Sequence, residues 1–287
     1  MQNAELKKGR WRRWVRGMVA GVVLAYVVVL AVPGCADELV LHPSRSAADA
    51  HGAIRRVVPF QGHELEIWTA RSPGARGREP EAFVLEFCGS ATRAEWITEY
   101  VAERFGERPV EAWVMNYPGF GGSTGKCLLK DLPAAADVAY SEVANVAGDR
   151  PIFLCGNSFG SAPALYLAAR RPCAGVIVQN PPAIREVIMG EHGWWNLWLL
   201  AWPVSRKVPE ELDSIKNAAG VHVPGVFIMS DGDGTVPPKY QKRIEEAYAG
   251  EKRVIPVKGD HFTEVAGEAG KQLQADIDWL WVSRKRD

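Results

Sequence analysis

Two serines lie in the pattern G-x-S-x-G, which places a nucleophilic serine on a tight turn between a strand and a helix. Ser123 is the serine of the motif at residues 121–125, and no helical pattern directly follows that motif. Ser158 is the serine of the motif at residues 156–160. This motif follows the apolar run 152–155 and precedes an apolar helical pattern. The turn requires a buried strand before the serine and a helix after it, whose dipole favours developing negative charge. We therefore predict that Ser158 is the nucleophile and that Ser123 belongs to a glycine-rich loop.

A serine nucleophile needs a base that takes its proton and an acid that orients the base. His261 is the candidate base, because it follows the strand-like run 254–257 late in the sequence. Asp231 and Asp233 both follow another strand-like run, and their spacing does not decide which one is the acid. The remaining histidines have no comparable context and are predicted to be surface or packing residues: His42, His51, His63, His192 and His222.

Apolar strand-like runs alternate with helical patterns from residue 55 onward. The strands are predicted at 55–60, 64–69, 82–87, 111–116, 151–155, 175–179, 225–230 and 253–257. The helices are predicted at 92–105, 132–146, 159–171, 238–249 and 264–281. The first two strands are separated by three residues, which is typical of an antiparallel hairpin. The later runs are apolar throughout, as in strands that are buried on both faces. The alternation predicts an α/β protein, a mostly parallel sheet with helices on both faces.

A segment over 180–224 interrupts this alternation and contains four of the 11 tryptophans. Trp194, Trp198 and Trp202, with Leu197 and Leu200 nearby, fall at helical spacing. A segment this long between two strands is usually a functional insertion. We predict a tryptophan-rich cap whose apolar stripe packs against the domain, lines an acyl pocket or enters a bilayer surface.

The charge of the chain is unevenly distributed, although 34 basic residues balance 34 acidic ones. Residues 1–35 hold six basic residues and one acid, which leaves 28 basic and 33 acidic residues elsewhere. A nucleic-acid partner is not expected, because such proteins usually carry a basic surplus. The domains predicted from these patterns are a signal or anchor over 1–35, a linker over 36–54 and one catalytic domain over 55–287.

The N-terminal segment has the pattern of an export signal, with a basic start and an apolar run over 17–32. A helix of this length rises about 24 Å, slightly less than a ~30 Å hydrocarbon core. One interpretation is a retained anchor with its basic end in the cytoplasm. The other is a lipoprotein signal that is cleaved before Cys35. Both interpretations predict a membrane-tethered domain on the extracytoplasmic side.

The remaining cysteines do not form a metal-binding pattern. No C-x-x-C pair occurs, and no His/Cys spacing is typical of zinc. Cys88 and Cys155 lie in apolar runs and are predicted to be buried free thiols. Cys127 and Cys173 lie in loop-like surroundings, so a disulfide between them is one possibility in an exported protein. No metal or organic cofactor is expected.

Four motifs in this order resemble those of the α/β-hydrolase superfamily, over about residues 55–283. Besides 156–160, residues 116–125 (Asn-Tyr-Pro-Gly-Phe-Gly-Gly-Ser-Thr-Gly) resemble D-Y-R-G-Y-G-x-S-x-G. Residues 233–237 match D-x-x-V-P, and 259–262 (Gly-Asp-His-Phe) resemble G-x-H-F. More narrowly, the chain resembles the membrane-tethered serine hydrolase branch that includes protein depalmitoylases and serine-aminopeptidase-like esterases.

The resemblance implies an α/β-hydrolase fold, with an eight-stranded mostly parallel sheet and a cap over the active site. It implies that Asp233, rather than Asp231, is the acid. The order Ser158, Asp233, His261 is the one found in this fold. By analogy, the backbone amides of Ser90 and Phe159 supply the oxyanion hole. The family commonly has His-Gly on the loop that carries the first of these amides, whereas Cys88 precedes Gly89 here.

The implied function is hydrolysis of a carboxylic ester or thioester through an acyl-enzyme. The tether and the tryptophans together indicate that the substrate is a lipid-like small molecule or an acylated molecule. The alternatives are a serine peptidase of the aminopeptidase type and a membrane-tethered binding protein that keeps the fold without the chemistry.

Overall fold

The structure is a computed structural model that describes residues 2–32, 34–46, 49–196 and 198–284. Eight strands form one sheet in the order β1-β2-β4-β3-β5-β6-β7-β8. β1 and β2 pair antiparallel, β2 pairs antiparallel with β4, and every other neighbouring pair is parallel. The strands are β1 Ile54–Phe60, β2 His63–Arg71, β3 Ala82–Phe87, β4 Val110–Met115, β5 Ile152–Asn157, β6 Gly175–Gln179, β7 Gly225–Ser230 and β8 Lys252–Val257. The predicted eight-stranded, mostly parallel sheet is confirmed.

Ten α-helices accompany the sheet within the described residues. They are α1 Gln2–Ala31, α2 Cys35–Leu41, α3 Ala94–Glu103, α4 Leu132–Ala147, α5 Ser161–Ala168, α6 Ile184–His192, α7 Ala201–Ser205, α8 Ser214–Ala218, α9 Pro238–Ala247 and α10 Gly267–Ser283. β3 and β4 are buried along their whole length, as expected of apolar strands that are covered on both faces. Because parallel strands share a direction, the carboxyl ends of β5, β7 and β8 lie at one edge of the sheet.

The segment predicted as a linker over 36–54 contains a packed helix. α2 buries Ala36 and Leu41 in the main hydrophobic core. The carboxylate of Asp37 accepts a hydrogen bond from the backbone amide of Leu129 at 2.8 Å. Residues 35–41 therefore pack on the same core as the sheet, and the strand that follows begins at Ile54.

The predicted cap region contains α6, α7 and α8, and no strand within its described residues. Its tryptophans do not form one helical stripe, because Trp198 has a φ of 61°, in the left-handed region that interrupts a right-handed helix. The side chains of Trp194 and Trp202 are 67% and 54% exposed. These tryptophans therefore do not pack against the domain, which was one of the three interpretations. Leu197 lies outside the described residues.

The N-terminal helix α1 carries exposed apolar side chains, among them Trp11, Val22 and Leu24. Over the described parts of the chain, we find no helix whose length and apolarity suffice for crossing a bilayer. Pro33, in the predicted signal-peptide cleavage region, lies outside the described residues. Cys35 is the first residue of α2 and is partly exposed.

The suggested disulfide between Cys127 and Cys173 is wrong. Both residues are free thiols in the structure, as are Cys35, Cys88 and Cys155. The loop that carries Cys127 folds inward, so that Cys127 is buried and contacts the backbone of Gly119. Burial also raises the pKa of the Cys127 thiol to about 12.

Candidate active site

Ser158 lies on a sharp turn between β5 and α5. Its φ is 49°, a left-handed conformation that is costly for a residue with a side chain. The turn closes tightly, because a Cβ on Gly156 would lie 2.3 Å from the carbonyl oxygen of Gly160. A Cβ on Gly160 would lie 2.0 Å from the carbonyl oxygen of Phe87. Close packing therefore requires glycine at both positions of the motif. The same packing holds the serine in its strained conformation at the sheet edge.

The three residues predicted for the triad lie together at this edge. The Nε2 atom of His261 is 2.9 Å from Oγ of Ser158, and its Nδ1 atom is 2.6 Å from Oδ2 of Asp233. Ser158 follows β5, Asp233 follows β7 and His261 follows β8. The imidazole thus bridges a hydroxyl and a carboxylate with its two ring nitrogens, which is the geometry of a serine–base–acid relay.

Asp233 is held in place by several donors besides His261. Its Oδ1 atom accepts hydrogen bonds from the amides of Thr235 and Val236, and its Oδ2 atom accepts one from the side chain of Gln241. The carboxylate is almost fully buried. Asp231 instead accepts a hydrogen bond from the amide of Gly259 at 3.1 Å. The structure therefore places Asp233 at the histidine and Asp231 at a neighbouring turn.

Asn180 is a residue at this site that the sequence analysis did not single out. It follows β6, and its side-chain carbonyl accepts a hydrogen bond from the amide of Ser230 at 2.9 Å. Its side-chain amide donates to the backbone carbonyl of His261 at 3.2 Å. Asn180 thus connects the ends of β6 and β7 to the histidine loop. The available signal was its place directly after a buried strand, at the edge where the other site residues gather.

The loop predicted to supply an oxyanion-hole amide is held from two sides. The hydroxyl of Tyr117 donates to the carbonyl of Cys88 at 2.7 Å, and the amide of Ala91 donates to the carbonyl of Leu41 at 2.9 Å. Ser90 lies between these points and, with Phe159, lines a cavity at Ser158. These two contacts hold the loop in a chain that has Cys88 at the position where the family commonly has histidine.

Cys88 is not poised to act as a nucleophile. Its thiol is buried, and burial raises its pKa well above the ordinary value, with Glu86 and Glu95 adding to the effect. A thiol is nucleophilic only as the thiolate. The interpretation of Cys88 as a buried packing residue agrees with this environment.

Ser123 occupies the loop that the second G-x-S-x-G motif forms. Its hydroxyl donates to the carbonyl of Asn116 and accepts from the amide of Glu66, both at 2.8 Å. The carboxylate of Glu66 in turn accepts from the amide of Gly122 and the side chain of Asn116. Ser123 therefore ties this loop to β2 and has no histidine partner.

Two cavities meet at Ser158. The first, the α3 cavity, has a volume of about 410 Å³ and is lined by Ile97, Tyr100, Arg104 and His261. The second, the α2 cavity, has a volume of about 180 Å³ and is lined mainly by apolar side chains. These include Leu39, Val40, Ile184, Val187 and Ile188. A substrate bound at Ser158 can therefore extend in two directions.

The lining of the α3 cavity includes a buried ion pair. Nη1 of Arg104 lies 3.2 Å from Oε2 of Glu86, and both side chains are at least nine-tenths buried. Burial raises the pKa of Glu86, although the Arg104 charge opposes the shift. The α2 cavity has no such pair among its lining residues. The described residues also contain no cluster of His, Cys, Asp and Glu that could hold a metal ion.

The chain is similar to several groups of known proteins. Residues 78–214 match the family described as serine aminopeptidase, S33. An uncharacterized protein of Mycobacterium tuberculosis is 30% identical over 149 residues, which are 51% of this chain and 50% of that protein. Alpha/beta hydrolase domain-containing protein 17C of mouse is 40% identical over 68 residues, which are 23% of this chain and 21% of that protein. The chain thus matches half or less of the length of these relatives.

A solved structure extends the likeness over most of the fold. An esterase of Pyrococcus furiosus is similar with a TM-score of 0.62, over 84% of this chain and 96% of that one, at 12% identity. At this identity the likeness concerns the fold. With the strand order and the site described above, it defines an α/β-hydrolase fold. The comparisons therefore show an α/β-hydrolase fold and, over residues 78–214, a likeness to the serine aminopeptidase family.

Proposed function

We propose that the protein is a serine hydrolase that cleaves a carboxylic ester or thioester through an acyl-enzyme. The observation that carries this proposal is the imidazole of His261 between the hydroxyl of Ser158 and the carboxylate of Asp233. Ser158 attacks the carbonyl carbon while His261 takes its proton, and Asp233 stabilises the imidazolium that results. The amides of Ser90 and Phe159 stabilise the oxyanion. His261 then protonates the leaving group, and water hydrolyses the acyl-enzyme in the same way.

The positions of the two cavities support an assignment of the two halves of the substrate. His261 must reach the leaving atom to return its proton, so the leaving group lies against the histidine. His261 lines the α3 cavity and does not line the α2 cavity. The leaving group therefore occupies the α3 cavity, whose lining includes the Arg104–Glu86 pair. The acyl group occupies the apolar α2 cavity, which favours a lipid-like or acylated substrate.

A serine peptidase is the second candidate, because residues 78–214 match the serine aminopeptidase family. The apolar lining of the α2 cavity favours the esterase, since it presents no carboxylate that would bind an N-terminal amine. Parallel assays with p-nitrophenyl esters and aminoacyl p-nitroanilides distinguish the two. Faster turnover of the esters supports the esterase, and turnover confined to the anilides supports the peptidase.

Covalent labelling by a fluorophosphonate tests the serine mechanism itself. We expect labelling of the wild type that is lost in Ser158→Ala. The control is Ser141→Ala, which removes the hydroxyl of an exposed serine on α4. Labelling of Ser158→Ala, or no labelling of the folded wild type, contradicts the proposed mechanism. The second result favours a binding protein of the same fold.

We further propose that residues 1–35 tether the enzyme to a membrane, with the hydrolase domain on the extracytoplasmic side. The exposed apolar side chains of α1 and the basic residues before them support the tether. Membrane fractions washed with carbonate should retain the wild-type protein. If Cys35 carries a lipid after cleavage, Cys35→Ser leaves the leader uncleaved. Recovery of the wild type entirely in the soluble fraction contradicts the tether.

A further inference from the structure

The helix α2 is fixed against the active site from both of its ends. Near its start, Asp37 accepts the amide hydrogen of Leu129. At its end, the carbonyl of Leu41 accepts the amide hydrogen of Ala91, in the loop that carries Ser90. Two side chains between these ends, Leu39 and Val40, line the α2 cavity. The helix thus forms a defined wall of the space next to Ser158.

A further apolar cavity lies on the tryptophan side of this wall. Its volume is about 230 Å³, and Trp195, Leu200 and Val204 line its far end. Leu39, Val40, Ile188 and His192 line both this cavity and the α2 cavity. The two cavities therefore adjoin at these shared side chains. An acyl chain that runs from Ser158 toward Trp195 would pass these shared side chains, among them Leu39 and Val40.

We propose that Leu39 and Val40 determine how long an acyl chain the enzyme accepts. The carbons next to the carbonyl lie in the α2 cavity, and the distal carbons pass these two side chains into the cavity at Trp195. This inference rests on the proposed function, since it assigns the acyl group to the α2 side. α2 also lies outside residues 78–214, the part matched by the family model. The proposed selection of acyl-chain length therefore depends on α2, which lies outside the residues that match this family.

Leu39 is the better position for a test, because its side chain is 55% exposed. A larger side chain there can project over the passage without displacing core residues. Leu41, two residues later, is fully buried and offers no such freedom. In an apolar pocket, a single methylene changes kcat/KM by about 10-fold or more. A larger side chain at Leu39 should therefore slow long acyl chains more than short ones.

The experiment compares p-nitrophenyl butyrate with p-nitrophenyl laurate for the full-length wild type and three variants. We expect Leu39→Trp to lower the laurate-to-butyrate ratio of kcat/KM about 10-fold or more. Leu39→Ala should keep the laurate-to-butyrate ratio at or above the wild-type value. Leu199→Trp is the matched control, because Leu199 is similarly exposed and lines neither cavity.

The fluorophosphonate label separates failure of this inference from failure of the proposed function. If the wild type is labelled and hydrolyses both esters, an unchanged ratio in Leu39→Trp overturns the inference alone. An equal fall of the laurate-to-butyrate ratio in Leu199→Trp also overturns the inference, because a larger side chain anywhere on that surface would then have the same effect. If the wild type is neither labelled nor active on any ester, the proposed function falls and this inference falls with it.

Discussion

The amide of Ala91 donates a hydrogen bond to the carbonyl of Leu41, over 2.9 Å. This bond joins the last residue of α2 to the loop that carries Ser90, one of the two proposed oxyanion donors. In this chain, which has Cys88 where the family commonly has histidine, two contacts hold the loop. One is this bond from Ala91, and the other is the hydrogen bond from Tyr117 to Cys88. α2 therefore contacts both the proposed acyl pocket and the loop of the proposed oxyanion hole.

The first prediction concerns the anchor of α2. Asp37→Ala leaves the buried amide of Leu129 without its acceptor, which costs about 1–3 kcal/mol of folding stability. Because α2 then loses its fixed position, the rate of fluorophosphonate labelling at Ser158 should fall. Asp37→Asn keeps a side-chain carbonyl in place and should retain most of both properties. Urea unfolding and labelling kinetics measure the two effects, and unchanged labelling by folded Asp37→Ala contradicts a link between α2 and the site.

Much of the site could be predicted from local patterns. Buried strands read as apolar runs, and each proposed catalytic residue lies within four residues after such a run, so Ser158 and His261 could be located from the sequence. The choice between Asp231 and Asp233 could not be made from spacing, because both follow β7 within three residues. It depends on which carboxylate faces the histidine across the strand ends, and this is a tertiary property.

The role of α2 could not be predicted for a related reason. Its seven residues are too few for a clear helical period, and its contacts are with residues far along the chain, such as Ala91 and Leu129. The exposure of Trp194 and Trp202 was missed as well, because the expected helical stripe assumed a continuous helix. The left-handed turn at Trp198 interrupts that helix.

The second prediction separates the two aspartates. Asp233→Asn should lower kcat by about 10⁴-fold, because the imidazole loses both its orienting acceptor and the charge that stabilises its protonated form. Asp231→Asn removes only a carboxylate oxygen that binds the amide of Gly259, and the side-chain carbonyl can replace it. We therefore expect Asp231→Asn to stay within a few-fold of the wild type. Steady-state kinetics on one ester measures both, and a larger loss in Asp231→Asn would exchange the two roles.

The third prediction concerns the dependence of stability on pH. Burial opposes the ionisation of Glu66, but hydrogen bonds from Arg55, Gly122 and Asn116 outweigh it, so its pKa in the folded protein lies below the ordinary 4.5. A carboxyl with a lowered pKa contributes stability that is fully present above its unfolded pKa and is lost as the pH falls through its folded pKa. Near pH 7, Glu66→Gln should cost about 1–3 kcal/mol of unfolding free energy.

The stability difference between the wild type and Glu66→Gln should therefore shrink as the pH falls below 4.5. Urea unfolding at several pH values measures it. Glu251→Gln is the control, because Glu251 is exposed and a change there should have little effect at any pH. A difference that stays constant from pH 7 to pH 3 would show that the charge of Glu66 does not stabilise the fold.

The fourth prediction tests Asn180 as a positioning residue for His261. Asn180→Asp keeps the acceptor for the amide of Ser230 but cannot donate to the carbonyl of His261. A small displacement of the base from the hydroxyl of Ser158 costs up to about 100-fold in rate, so kcat should fall by about 10- to 100-fold while KM changes little. Asn180→Ala also leaves the amide of Ser230 unpaired, which costs about 1–3 kcal/mol of stability. Kinetics and thermal unfolding of both variants separate the two effects. If Asn180→Asp keeps the wild-type kcat, Asn180 supports the strand ends and does not position the histidine. The same conclusion follows if Asn180→Asp loses activity only in proportion to the fraction that is unfolded.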